Sequence, residues 1–191
     1  MTWNFFSKAV ERTRALNMSN VILFFDVLIV LALVSLISVF LMYPEGDVME
    51  HIHASYMVFN GKVPYRDFFE HHNPLLWYLM GWFVQLFERN SSVIGIVDYI
   101  TFLFSAVGIC FLYKIVVEFL GNKTAGLLSV IFVLLPCVSL YYVYFKPDNY
   151  MMACLVVGIY YFFSYIRDLK VRDLIVSYLF FTISFLFLQK A

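Results

Sequence analysis

The sequence predicts an all-α polytopic membrane protein, with about five transmembrane helices and a pair of juxtamembrane helices in the first outer loop. Three observations predict it. Of the residues, 63% are hydrophobic, 20% aromatic and 14% charged, against about half apolar and a quarter charged in soluble domains. The apolar residues fall in long runs, and the charges fall between them. The basic clusters sit in those gaps in an order that a single orientation across a bilayer satisfies. Formal net charge is zero, so there is no overall basic field of the kind nucleic acid would require, and no nucleic-acid partner is expected.

Residues 1–20 set Trp3, Phe5, Phe6, Ala9, Val10 and Leu16 against Lys8, Arg12 and Arg14, which suits a short helix lying on the cytoplasmic face. Residues 21–191 then form one transmembrane domain. The run 21–43 is too long for a signal-peptide core and has no small-residue cleavage site after it, so it predicts an uncleaved first membrane helix, with Asp26 snorkelling near the cytoplasmic end. The outer loop 44–91 follows. Further apolar runs occupy 92–120, 124–144, 150–166 and 174–188. The run 74–87 would reach only about 21 Å as a helix, short of the roughly 30 Å hydrocarbon thickness, and predicts a re-entrant or interfacial element. If it does not cross, Lys123 and the cluster Arg167, Lys170 and Arg172 fall on the same side as Lys8, Arg12 and Arg14, as the positive-inside rule requires. The 145–149 loop then lies outside with 44–91.

Residues 44–74 of that outer loop read PEGDVMEHIHASYMVFNGKVPYRDFFEHHNP and hold every histidine of the chain. Asp47, Glu50, Asp67 and Glu70 stand among His51, His53, His71 and His72, with Lys62 and Arg66 between them. Pro44 and Gly46 break the first membrane helix, and a second helix from Asp47 to Asn60 is expected, with Gly61 as its C-terminal cap. At 100° per residue Val48, Met49, Ile52, Ser55, Tyr56 and Phe59 share one arc, and Asp47, Glu50, His51 and His53 the opposite one. The acidic arc fits either a solvated loop helix or one wall of a polar pocket at the bilayer surface. Asp67 and Glu70 are expected to be solvated or paired with Arg66.

Ligand-type side chains are plentiful, but none shows a recognised metal spacing. His51 and His53 diverge on a helix, and adjacent His71 and His72 cannot readily share a small ion. A possible divalent metal would bind through Asp47 or Glu50 with Asp148. Asp98, about two turns into a membrane helix, is expected to face the interior with a partner. Cys110, Cys137 and Cys154 lie in apolar runs without a CxxC pair and are read as packing residues. The Asn90-Ser91-Ser92 sequon would lie outside, and Tyr141, Tyr142 and Tyr144 suit an interfacial aromatic belt.

Several of these residues carry a family resemblance. An Asp and a Glu soon after the first membrane helix, then Ala54, Asn60-Gly61, Val63-Pro64-Tyr65-Arg66-Asp67 and His72-Asn73-Pro74-Leu75-Leu76-Trp77-Tyr78, resemble the first outer loop of C-type glycosyltransferases. The nearest likeness is to the branch containing protein O-mannosyltransferases and the aminoarabinose transferase of lipid A. Lys146-Pro147-Asp148-Asn149 resembles that branch's basic-Pro-Asp motif. Such enzymes have several hundred residues, and the likeness covers their N-terminal portion.

The resemblance implies transfer of a sugar from a polyprenyl-phosphate donor to a lipid, glycan or protein acceptor. It places the chain in a cell-envelope membrane, the bacterial inner or plasma membrane, with its N-terminus cytoplasmic and the active loop outside. It makes Asp47 the general base of an inverting displacement and Glu50 its support, and it matches Asp148 to a second outer acid. Where the lipid A enzyme has a lysine before the helix-opening proline, His72-Asn73 stand here, so Lys62, Arg66, His72 and Lys146 are all candidates for the donor phosphate. Two alternatives stay open: a polytopic transporter or non-catalytic accessory subunit using Asp98, Lys146 and Asp148, and an inactive truncated piece of a transferase.

Overall fold

Glycine and proline punctuate the chain where the sequence places them. The computed structural model describes residues 46–87, 92–134 and 143–189. The expected interfacial helix 1–20, the membrane helix 21–43 with Asp26, Cys137, the Asn90 sequon and Tyr141 and Tyr142 lie outside the described residues. Six helices are described: α1 (Gly46–Phe59), α2 (Leu75–Leu86), α3 (Ser92–Phe119), α4 (Lys123–Val133), α5 (Pro147–Asp168) and α6 (Val171–Phe187). The described residues contain no strand beyond one isolated bridge between Pro64 and Phe68.

α1 ends as expected. Gly61 adopts φ +79°, its N–H donates to the Val58 carbonyl at 3.0 Å, and the Lys62 N–H donates to the Met57 carbonyl at 3.0 Å. This is the Schellman closure, which needs a left-handed residue and so favours glycine. α4 begins at Asn122, whose side chain accepts from the Ala125 N–H at 3.0 Å. α5 begins with Pro147, and Lys146 before it is extended, with φ −135° and ψ 145°, the conformation a following proline imposes.

α3, with 28 residues, and α5, with 22, are each long and apolar enough to cross a membrane. They carry the predicted runs 92–120 and 150–166. The run 174–188 forms α6, with 17 residues. The run 124–144 is helical over α4, and 135–142 lie outside the described residues. α2 has 12 residues, about 18 Å of helix, and falls short of the roughly 30 Å core.

α5 packs between α3 and α6, α4 lies against α3, and α1 pairs with α2. Lipid tails are as apolar as leucine, so packing of membrane helices depends on close backbone approach and interhelical hydrogen bonds. Both occur here. Ser177 Oγ donates to the Gly158 carbonyl at 2.9 Å, Ser184 Oγ to the Met151 carbonyl at 2.8 Å and Ser164 Oγ to Asp173 Oδ2 at 3.0 Å. At the α3–α5 crossing a Cβ on Gly108 would stand 2.9 Å from the Cα of Ala153. Gly108→Leu is therefore expected to push α3 off α5 and cost about 1–3 kcal/mol, read as a lower apparent melting temperature in detergent. Gly95→Leu, where a Cβ meets nothing within 4 Å, should be far milder.

One core joins the two halves. Val48, Leu76, Trp77 and Met80 of α1 and α2 are buried with Val97, Phe145, Tyr150, Phe187 and Leu188. The loop before α2 is tied to the end of α6 by Asn73 Nδ2 donating to the Phe185 carbonyl at 2.6 Å and Gln189 Nε2 donating to the His71 carbonyl at 2.7 Å. The face that α1 buries matches the expected arc in Val48 and Ser55, with Ile52 partly buried against the core, and departs from it elsewhere. It consists of Val48, His51, Ala54 and Ser55, while Met49, Tyr56 and Phe59 are exposed. His51 is buried against α2, where the Trp77 ring stacks on it at 6.4 Å, so α1 presents an imidazole to α2 beside Val48 and Ser55.

Candidate functional site

Asp47 stands in the first turn of α1 and Lys146 just before α5. Lys146 Nζ lies 2.9 Å from Asp47 Oδ2, with the lysine side chain 14% exposed and the aspartate 61% exposed. The ammonium, by hydrogen bond and by charge, holds the Asp47 carboxyl below its ordinary range. The extended backbone before Pro147 aims Lys146, and the backbone on its N-terminal side is pinned too. The Phe145 N–H donates to Asp98 Oδ1 at 2.8 Å, and Asn149 Nδ2 donates to the Tyr144 carbonyl at 2.6 Å. Asp98 thus faces the interior with a partner, as expected, and that partner is a peptide N–H.

The loop between α1 and α2 is built on Asp67. Its Oδ2 accepts the Val63 N–H at 2.8 Å, and its carboxylate takes Arg66 Nε at 3.0 Å and Nη2 at 2.8 Å. These contacts draw the Asp67 carboxyl down to about 2, the Arg66 hydrogen bond contributing most. Asp67 is a turn residue paired with Arg66. Tyr65, at φ 66°, is a left-handed non-glycine residue, a costly conformation. The turn holds it there, and its hydroxyl donates to the His72 carbonyl.

Glu70 corrects the expectation that it would be solvated or paired with Arg66: it is buried, 4% exposed. Its Oε1 accepts the His71 N–H at 2.7 Å and lies 3.1 Å from His72 Nδ1 and 3.0 Å from His71 Nδ1. Glu50 shares a hydrogen bond with Glu70, which raises the Glu50 pKa, because two facing carboxyls hold one proton between them. Burial would raise Glu70 as well, but the His71 N–H, Glu50 and His72 together draw it down. Of the two carboxyls, Glu50 is thus the one that holds a proton more readily as pH falls.

His51 is buried between these groups. Trp77 Nε1 donates to its Nδ1 at 3.4 Å, and its ring meets His72 edge-on at 5.0 Å. Burial first, then the charge on His72, lowers its pKa to about 4, so it is neutral at physiological pH. Among the described residues two groups of ligand-type atoms lie within 4.8 Å of one another: His51, Glu70 and His72, and Glu50, Glu70 and His71. Imidazole with carboxylate suits a divalent transition ion. Against it, the Trp77 donation leaves the His51 ring proton on Nε2, and coordination there would first have to move it. Neither group contains Asp47 or Asp148, the candidate ligands read from the sequence together with Glu50.

Of the candidate phosphate groups, Lys146 comes to Asp47, and His72 is near enough for its charge to act there. Arg66 binds Asp67, and the charge of Lys62 acts on Asp67 too. Those two mark the loop tip and are not brought to Asp47. Asp148, in the first turn of α5, acts on His51 through its charge. Sequence reasoning missed Glu70 and His51. The Phe-Glu-His-His run before a helix-opening proline was a signal for Glu70, and helical arcs set His51 on the acidic face with Asp47 and Glu50 without showing that it is buried.

A model of the dolichyl-phosphate-mannose-protein mannosyltransferase family matches residues 71–191. This stretch takes in the Glu70-proximal histidines, α2 to α6 and the Lys146-Pro147-Asp148 segment. No curated protein and no solved structure matches the chain. The family match covers well over half of the residues, and with α3 and α5 long enough to cross a membrane, the chain belongs to the dolichyl-phosphate-mannose-protein mannosyltransferase family.

Proposed function

We infer that the Asp47–Lys146 pair is the centre of a glycosyl transfer in which the donor is a polyprenyl-phosphate sugar and the chemistry takes place on the outer face. The observation that carries this reading is the 2.9 Å contact between groups 99 residues apart in the chain: a carboxylate and an ammonium are held together beside a membrane helix. In a single inverting displacement the acceptor hydroxyl gives its proton to Asp47 while its oxygen forms the new bond to the anomeric carbon. The bond from that carbon to the phosphate oxygen breaks, and the lipid phosphate leaves with the electron pair. Phosphate is a good leaving group, so the protein has to supply a base and a counter-charge.

Lys146 serves both needs in sequence. Before the donor arrives it holds the Asp47 carboxylate in place; the phosphate then draws the ammonium to itself by charge-assisted hydrogen bonds and frees the Asp47 oxygen to accept a proton. Glu50, one turn on from Asp47 on α1, orients the acceptor, and His72 stands beside the phosphate. Polyprenyl-phosphate mannose is the first donor to try.

Lys146→Ala tests the reading. In protein reconstituted in lipid, loss of one charge-assisted phosphate contact should raise the donor KM about 10- to 100-fold. Lys123→Ala, at the start of α4 and beyond the far end of α3, should leave it within about twofold. Equal effects of the two changes would reject a phosphate site at Lys146.

A further inference from the structure

The most exacting demand on the Asp47–Lys146 pair is that a lysine on a loop between helices be aimed at one oxygen. Two side chains hold the loop backbone. Asn149, within the first turn of α5, reaches back to the Tyr144 carbonyl at 2.6 Å. The other comes from a different helix. Asp98 is buried, two turns into α3, and its Oδ1 takes the Phe145 N–H at 2.8 Å. An acidic group at that depth of a membrane helix is costly, and packing alone would be served by leucine. Its use of a peptide N–H immediately before Lys146 gives the cost a purpose.

We propose that Asp98 is a positioning residue for the transfer reaction: from within α3 it fixes the Phe145 peptide and so aims the Lys146 ammonium at Asp47. Asp98 touches neither partner itself and acts through the backbone. Phe145 is fully buried against the core shared with Trp77 and Tyr150, so the peptide N–H is removed from water and has to be satisfied within the protein. What the carboxyl supplies is an acceptor oxygen at a fixed place; an amide oxygen would do the same.

The inference rests on the reading of Asp47 and Lys146 as the reactive centre, and its test has one arm that does not. Asp47→Cys and Lys146→Cys are introduced together into the chain carrying Cys110→Ala, Cys137→Ala and Cys154→Ala, and a short bismaleimide links the two thiols in membranes. This pair lacks the ion pair itself, so the yield reports backbone placement. Asp98→Asn should keep the yield within about twofold, since its amide oxygen still accepts the Phe145 N–H, and Asp98→Leu should lower it about fivefold or more. Asp98→Ser, too short to reach but small and polar, takes the place of Asp98→Leu should the latter fail to insert. Full yield in the leucine or serine variant overturns the proposal, as does equal loss in the asparagine variant. In the second arm, with Asp47 and Lys146 intact, the sugar-transfer kcat/KM should follow the cross-linking order, down about tenfold in Asp98→Leu and restored in Asp98→Asn. Cross-linking that falls while transfer stays at the wild-type rate leaves Asp98 as the positioning group and rejects Asp47 and Lys146 as the reactive centre.

Discussion

Asp47→Asn is expected to lower sugar transfer by about 10²- to 10⁴-fold, the usual effect of removing a positioned base, while donor binding stays within a few-fold of wild type. The amide keeps the shape of the carboxylate and can still accept from Lys146 at the 2.9 Å separation, but it takes no proton at neutral pH. The loss should therefore fall on kcat more than on donor affinity. Asp67→Asn is the informative comparison. Its carboxylate binds Arg66 and the Val63 N–H in the loop turn, so that change should loosen the loop and leave most of the rate. Wild-type turnover by Asp47→Asn would remove Asp47 from the chemistry. Loss of the folded protein in place of turnover would make it a structural residue of α1.

A large pH effect on stability is expected from His51. Its pKa is about 4 in the fold against an ordinary 6.5, so the unfolded chain binds the extra proton first as pH falls. The stability its burial permits is fully present above about 6.5, declines through the interval below, and is lost once pH passes about 4. At most this amounts to about 3 kcal/mol. His72, Glu70, Asp47 and Asp148 all act on His51, and two of the acids of this site titrate in their own ways. Asp47, held low, loses its contribution at still lower pH, and Glu50, held high, gains stability as pH falls. Comparison with His51→Gln isolates the histidine, because the amide oxygen can accept from Trp77 but carries no proton through this range. Melting temperatures of both proteins from pH 7.5 to 4 should diverge, with the wild type falling faster; parallel curves would show that His51 is solvated or charged in the fold.

Much of this protein is legible along its chain. Composition and apolar run length alone required membrane helices, since only a helix satisfies its own backbone in hydrocarbon, and α3 and α5 follow. Local stereochemistry placed Gly61 at the end of α1 and an extended Lys146 before Pro147, because positive φ and the proline ring act on immediate neighbours whatever the rest of the fold does. Asp98 could be set in the interior for the same kind of reason, the cost of an acid in lipid. None of this says which partner each polar group meets. Lys146 reached Asp47 while Arg66 and Lys62 stayed with Asp67, although the sequence offered all three, with His72, for the same phosphate. Asp67 is a near neighbour of Arg66 and Lys62 in one turn, whereas Lys146 and Asp47 meet only because the starts of α1 and α5 stand together. His51 entered the site because α2 packs on α1 with Trp77 against the imidazole, shifting the buried face of α1 from its apolar arc to one that keeps Val48 and Ser55 and adds His51 and Ala54; Glu70 entered it through the His71 N–H and His72. Periodicity is a property of one helix. Which face is buried, and which charge is neutralised by which, depends on where the neighbouring helices stand, and that was decided only when α1, α2, α3 and the start of α5 came together.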